Sequence, residues 1–151
     1  MDCIREAENR LWYYRDLVRS VDYAREQIGI LAGKGAPKGI TAVNLDPTGI
    51  RASKPHDTLS IMYQLQRWTE IRDKTSEEID KIDGILAEII QEPGCERYAD
   101  ILKMWYVEKM AKEDIADDLG YSSRRSVYEL RNKAIRKFAI RLFGLEALIA
   151  I

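Results

Sequence analysis

Histidine occurs once in this sequence, at position 56, and cysteine twice, at positions 3 and 95. The histidine sits in a glycine- and proline-rich stretch with no nucleophile motif beside it, so it offers no start for a Ser-His-Asp or Cys-His arrangement. The two cysteines are far apart and in no metal-like spacing. That excludes a zinc site or a disulfide framework and places the chain in a reducing compartment, the cytoplasm. No apolar run approaches the ~20 residues needed to span a bilayer, so no membrane contact is expected. The first residues mix charge with apolar positions instead of joining a basic patch to an apolar stretch, so no leader is expected. The glycines give no phosphate-cradling G-x-x-x-x-G-K-S/T spacing. Paired carboxylates such as Glu77–Glu78 and Asp117–Asp118 fall on faces expected to be solvated. No enzyme and no cofactor is expected.

An excess of one charge is missing too, with 24 Lys and Arg against 25 Asp and Glu. A balanced total does not exclude a polyanionic partner, because the local field steers it and the average does not. Apolar residues make up 46% and well-mixed charged residues 32%, a composition that suits a packed core beneath long solvated helices.

What the sequence does hold is helical periodicity. Residues 2–33 read as one helix, with Ile4, Leu11 and Val18 seven apart and Ala7, Tyr14, Val21 and Ile28 interleaved. Gly33 and Gly35 are expected to stop it. Residues 34–56 read as a loop, punctuated by Pro37, Gly39, Pro47, Gly49 and Pro55. Residues 57–92 read as a second long helix capped by Asp57. Ile61, Trp68, Thr75, Ile82 and Ile89 repeat along it every seven residues, with Leu65, Ile79 and Leu86 between, until Pro93-Gly94. Neither helix can bury its stripe alone; the two fold back on each other or, as the alternative, pair with another copy of the chain. The expected fold is therefore all-α: a long antiparallel helical hairpin over 1–92, coiled-coil-like, followed by a shorter-grained helical domain over 96–151. Helices are expected at about 96–108, 111–119 and 123–142. The apolar end, with Leu145, Leu148, Ile149 and Ile151, is expected to pack on that domain or on a second copy.

The stretch Ala111–Gly120 carries the functional argument. Ile115 and Leu119 face one way, Ala116 is small where another helix must approach, and Gly120 permits the positive φ of a sharp turn. Tyr121 can cover that turn, and Ser122 or Ser123 caps a new helix with Val127, Leu130, Ala134 and Phe138 inward. This is the pattern of a helix-turn-helix, whose second helix enters a DNA groove by its first turns. From Ser122 to Arg141, seven basic residues face one acidic residue, whereas 96–118 holds four basic and seven acidic. Concentrated positive charge is what releases counterions from phosphates. Base-edge contacts are expected from Arg124, Arg125, Ser126 and Tyr128, with Glu129 and Asn132 one turn on; arginine reads guanine bidentately and asparagine reads adenine. Phosphate contacts are expected from Arg131, Lys133, Arg136 and Lys137.

The run Tyr98–Gly120, with its aromatic pair Trp105-Tyr106 followed by Ile115-Ala116 and Leu119-Gly120, resembles region 4 of bacterial sigma factors. It departs in the turn, where Tyr121–Val127 looks one residue longer, and no core-polymerase-binding region 2 accompanies it. Taken whole, the chain is similar to phage and prophage transcription regulators of the RinA/ArpU kind. The likeness rests on a long first helix, a loop carrying Asp46-Pro47-Thr48-Gly49, a second long helix, and a sigma-like end closing on Leu142-Phe143-Gly144-Leu145. The resemblance implies activation of phage late genes in a bacterial host, with double-stranded DNA and host RNA polymerase as partners and a homodimer as one possible state. Two rivals stand beside it. One is a phage small terminase subunit binding packaging-site DNA as a ring of copies. The other is a coiled-coil interaction protein whose basic helix is only a solvated face.

Overall fold

The computed structural model describes residues 2–35 and 55–150, and every element in them is helical. The helices are α1 (Cys3–Trp12), α2 (Tyr14–Gly35), α3 (Pro55–Ile89), α4 (Tyr98–Leu102), α5 (Lys112–Leu119), α6 (Arg124–Phe143) and α7 (Leu145–Ala150). Lys103–Val107 continues α4 as a π-helical turn. The all-α class expected from the periodicities is the class observed. No helix among the described residues is long and apolar enough to cross a membrane. Most of the expected loop (36–54), the Asp46–Gly49 motif within it and Ile151 lie outside the described residues, as does the side chain of His56.

Local chemistry sets the helix ends. Asp2 opens α1 by accepting the Arg5 N–H at 3.1 Å. The single helix expected over 2–33 is instead two, meeting at Tyr13, whose φ of −98° and ψ of 14° leave the helical region. The Trp12 carbonyl at this break accepts from Lys109 Nζ at 2.9 Å. α2 runs through Gly33, so glycine there does not stop it. α3 begins at Pro55, two residues before the expected Asp57 cap; proline suits the first helical position, where its missing N–H is no loss.

The chain divides into two compact units, Met1–Leu17 with Glu78–Ile151, and Val18–Glu77. The sequence reading puts the division at Pro93-Gly94 instead, with 1–92 as one body. The difference lies in α1. Its residues Cys3, Ala7 and Leu11, four apart, are fully buried in one core with Ile82, Leu86 and Ile89 of α3 and Phe138 of α6. The first turns of the chain therefore complete the C-terminal core. In the unit Val18–Glu77, α2 and α3 supply the two limbs of the hairpin. Val21, Ala24 and Leu31 are buried there, and Tyr23 meets Trp68 edge-on at 5.3 Å. A fragment of residues 1–92 is expected to melt without cooperativity and to bind an apolar dye, because its α1 and late-α3 residues lose their partners. A sharp melt at the temperature of the full chain would contradict that.

In the larger unit, α6 is the central element: α1, α4, α5 and α7 all pack on it. Val127, Ala134, Ile135, Phe138, Ala139 and Leu142 are buried along its inner face. The apolar end, expected on this core or on a second copy, does not pack on this core. Leu145, Leu148 and Ile149 are 69%, 57% and 76% exposed, whereas Ala147 beside them is buried. Gly144, with φ of 68°, breaks the phase between α6 and α7, so Leu145, Leu148 and Ile149 turn away from that core. Ile149→Ser is therefore expected to shift the melting free energy by no more than about 0.5 kcal/mol.

Candidate nucleic-acid interface

The turn between α5 and α6 is built as its residues require. Gly120 adopts φ of 78° and ψ of 23°, in the left-handed region. Its N–H bonds to the Asp117 carbonyl at 3.3 Å, and the Tyr121 N–H reaches back to Ala116 at 2.8 Å. That paired closure satisfies the last carbonyls of α5. Ser123, not Ser122, is the cap of α6: its backbone is extended, and its Oγ accepts the Ser126 N–H at 3.4 Å. Ile115, Ala116 and Val127 are buried at the junction. Arg97, which the sequence reading passed over, fastens the turn from outside. Its guanidinium donates to the Leu119 carbonyl at 2.9 Å and lies 5.4 Å from the Tyr121 ring centre.

The basic residues of α6 do not form one surface. Arg131 is drawn inward, its side chain only 20% exposed. It lies 4.5 Å over the Trp105 ring, donates to the Tyr106 hydroxyl at 3.2 Å, and reaches Glu8 of α1 at 3.5 Å. Tyr106 in turn donates to Glu8 at 2.8 Å. Burial, followed by the Glu8 bond, pushes the Tyr106 hydroxyl well above the usual phenol range, and Arg131 partly opposes this. The Arg131 Nε is buried without a hydrogen-bond partner among the described residues. Arg131 is thus a packing and ion-pairing residue that joins α6 to α1, and the phosphate contact expected of it is not available in this geometry.

Lys137 is also spoken for. It pairs with Glu92, as does Arg141, which reaches Glu88 at 3.3 Å as well. Arg124, at the head of α6, pairs with Glu113 of α5. Four of the seven cations therefore meet carboxylates of α1, α3, α5 or the turn that follows α3, where Glu92 stands. The sequence shows the charge of α6 but not the acidic residues that long-range packing sets against it.

What stays exposed is narrower. Arg125, Glu129, Asn132, Lys133 and Arg136 are exposed and share one face, because spacings of three, four and seven residues return to the same side of a helix. Arg125 is 88% exposed and bonds through Nε to Glu129 at 3.0 Å. Lys133 and Arg136 have no ion pair among the described residues. Ser126 is half-buried, with its N–H used by the cap. Tyr128 stands at the edge of this face, its ring meeting Trp105 at 5.1 Å. Of the expected base-reading residues, the fold brings Arg125, Glu129 and Asn132 onto one open stripe and sets Arg124, Ser126 and Tyr128 beside it. Trp105, half of the aromatic pair visible in the sequence, has a role there that the pair does not show: Lys112 Nζ lies 4.2 Å from its ring centre, on top of its contacts with Arg131 and Tyr128.

Glu92 offers a pH test of this arrangement. Its hydrogen bond from Lys137, and then that from Arg141, hold its carboxyl below the usual value of 4.5. A lowered folded-state pKa gives stability that is present above the unfolded value and lost as pH falls through the folded one. Glu92→Gln is expected to be less stable than the parent in urea at pH 7, with the gap closing as the pH falls below 4.5. A gap that persists unchanged to pH 2 would assign the loss to packing instead.

No group of three or more His, Cys, Asp or Glu suited to a metal ion occurs among the described residues. Residues 53–139, more than half of the chain, match the family described as "Protein of unknown function (DUF1492)". The match takes in α3 to α5 and most of α6, and so includes the Gly120 turn and the exposed stripe. No curated protein and no solved structure matches the chain.

Proposed function

The chain belongs to the DUF1492 family, and from its own geometry we propose that it binds double-stranded DNA in a sequence-specific manner to regulate transcription. One observation carries this reading: a glycine turn and a serine-capped helix present an open stripe of Arg125, Asn132, Lys133 and Arg136 along the side of α6 away from the core. The first turns of such a helix fit the major groove, where arginine and asparagine read base edges and lysine and arginine hold phosphates. The resemblance to sigma region 4 and to RinA/ArpU regulators extends the proposal to activation of phage late genes in the bacterial cytoplasm, in contact with host RNA polymerase, as a homodimer or a monomer.

The test is enrichment of bound duplexes from a randomised pool at about 0.15 M salt, near physiological strength. A recurring motif among the retained duplexes supports the proposal. Failure to retain duplex even at low salt, where phosphate contacts are strongest, would end it.

A second reading has its own observation. Leu59, Met62 and Tyr63, one turn apart on α3, are 55%, 59% and 72% exposed. An apolar cluster of that kind favours a protein partner, and a protein that captures no DNA would be read through that cluster.

A further inference from the structure

Glu129 is the single acidic residue in α6, and it lies on the open face that DNA would meet. Its carboxylate repels phosphate there. Helix stability does not account for it, since an exposed i,i+4 pair contributes little. The order Arg before Glu is also the weaker arrangement on a helix. What Glu129 does instead is hold Arg125 by one atom, Nε, at 3.0 Å. Both terminal amino groups of Arg125 are left outward on a side chain that is 88% exposed. The other two arginines in the first turns are occupied, Arg124 by Glu113 and Arg131 by Glu8 and Tyr106. Arg125 is thus the one arginine near the head of α6 that is both oriented and open.

Resting on the DNA-binding reading above, we propose that Glu129 is a positioning residue that aims Arg125 at a guanine, so that this protein demands a G·C pair at one position of its site. A guanidinium offers two parallel N–H donors to guanine O6 and N7, and no other base presents that pair of acceptors in the major groove. An arginine already fixed through Nε gives up less side-chain freedom when it makes those two bonds. The negative charge of Glu129 is then the cost of that orientation.

The full-length protein and its Arg125→Ala and Glu129→Ala variants are each to be selected against a randomised duplex pool, with affinity for poly(dA-dT) duplex measured in parallel. Both side chains are exposed, so the variants are expected to keep the parent's helical signal and melting temperature. The parent is expected to enrich guanine strongly at one position. Arg125→Ala should lose that preference by at least about fivefold, the lower end for a bidentate contact. Glu129→Ala should lose it to a similar degree while binding poly(dA-dT) more tightly, because a repelling charge has gone. A merely solvated pair gives a different result: Glu129→Ala would tighten binding to all duplexes and leave the base preference intact, and that overturns the proposal. An unchanged preference in Arg125→Ala overturns it as well. In either case the DNA-binding reading survives, whereas a parent protein that enriches no motif removes both.

Discussion

Phe138→Ala is expected to destabilise the chain by about 3–5 kcal/mol, the range for truncating a buried aromatic. Phe138 is fully buried on the inner face of α6 and belongs to the core that joins α1, late α3, α4 and α5. Deleting its ring removes apolar burial and leaves a cavity that elements held on several sides cannot close. In a chain of this size the loss corresponds to a melting temperature lower by roughly 6–20 °C. Calorimetry measures it directly. A drop of less than about 1 kcal/mol would mean that α6 is not the centre of the core.

That core also explains what was legible in the sequence. The inward stripe of α6 could be read because Val127, Ala134 and Phe138 repeat at helical spacing, and all three are fully buried. Gly120 could be read because few residues other than glycine accept a φ of 78°. The hairpin limbs were visible as periodicities, yet the place where the chain divides was not. A heptad stripe states that a face is buried, not which partner buries it, and Cys3, Ala7 and Leu11 serve the C-terminal core.

The candidate site was legible in outline and misread in detail for the same reason. Arg131, Lys137 and Arg125 look alike along α6. Burial depends on angular position, and ion pairing depends on what α1, α5, α3 and the turn after α3 bring alongside. Arg131 and Lys137 face Glu8 and Glu92, which are distant in sequence, whereas Arg125 faces only Glu129 on its own helix. Of the two expected places for the apolar end, the core of its own domain is not the one it takes, because Gly144 turns Leu145, Leu148 and Ile149 outward.

The second large effect concerns DNA. Lys133→Ala/Arg136→Ala is expected to weaken binding by about 30-fold at 0.15 M salt, since each phosphate contact releases about 0.9 counterion and is worth roughly fivefold there. Both residues are exposed on the open stripe, and neither has an ion pair among the described residues. By contrast, Lys137 and Arg141 are held by Glu92 and Glu88. Removing them should lower thermal stability and leave the DNA contacts in place.

The salt dependence of duplex binding in these two double variants, measured side by side, tests most directly whether the open stripe of α6 holds DNA. The slope of log affinity against log salt is expected to shrink by about 2 in Lys133→Ala/Arg136→Ala. In Lys137→Ala/Arg141→Ala it should stay at the parent value. An equal or larger loss of slope in the second variant would show that the paired cations leave their carboxylates for phosphate, and would contradict the claim that the open stripe of α6 is the surface that holds DNA.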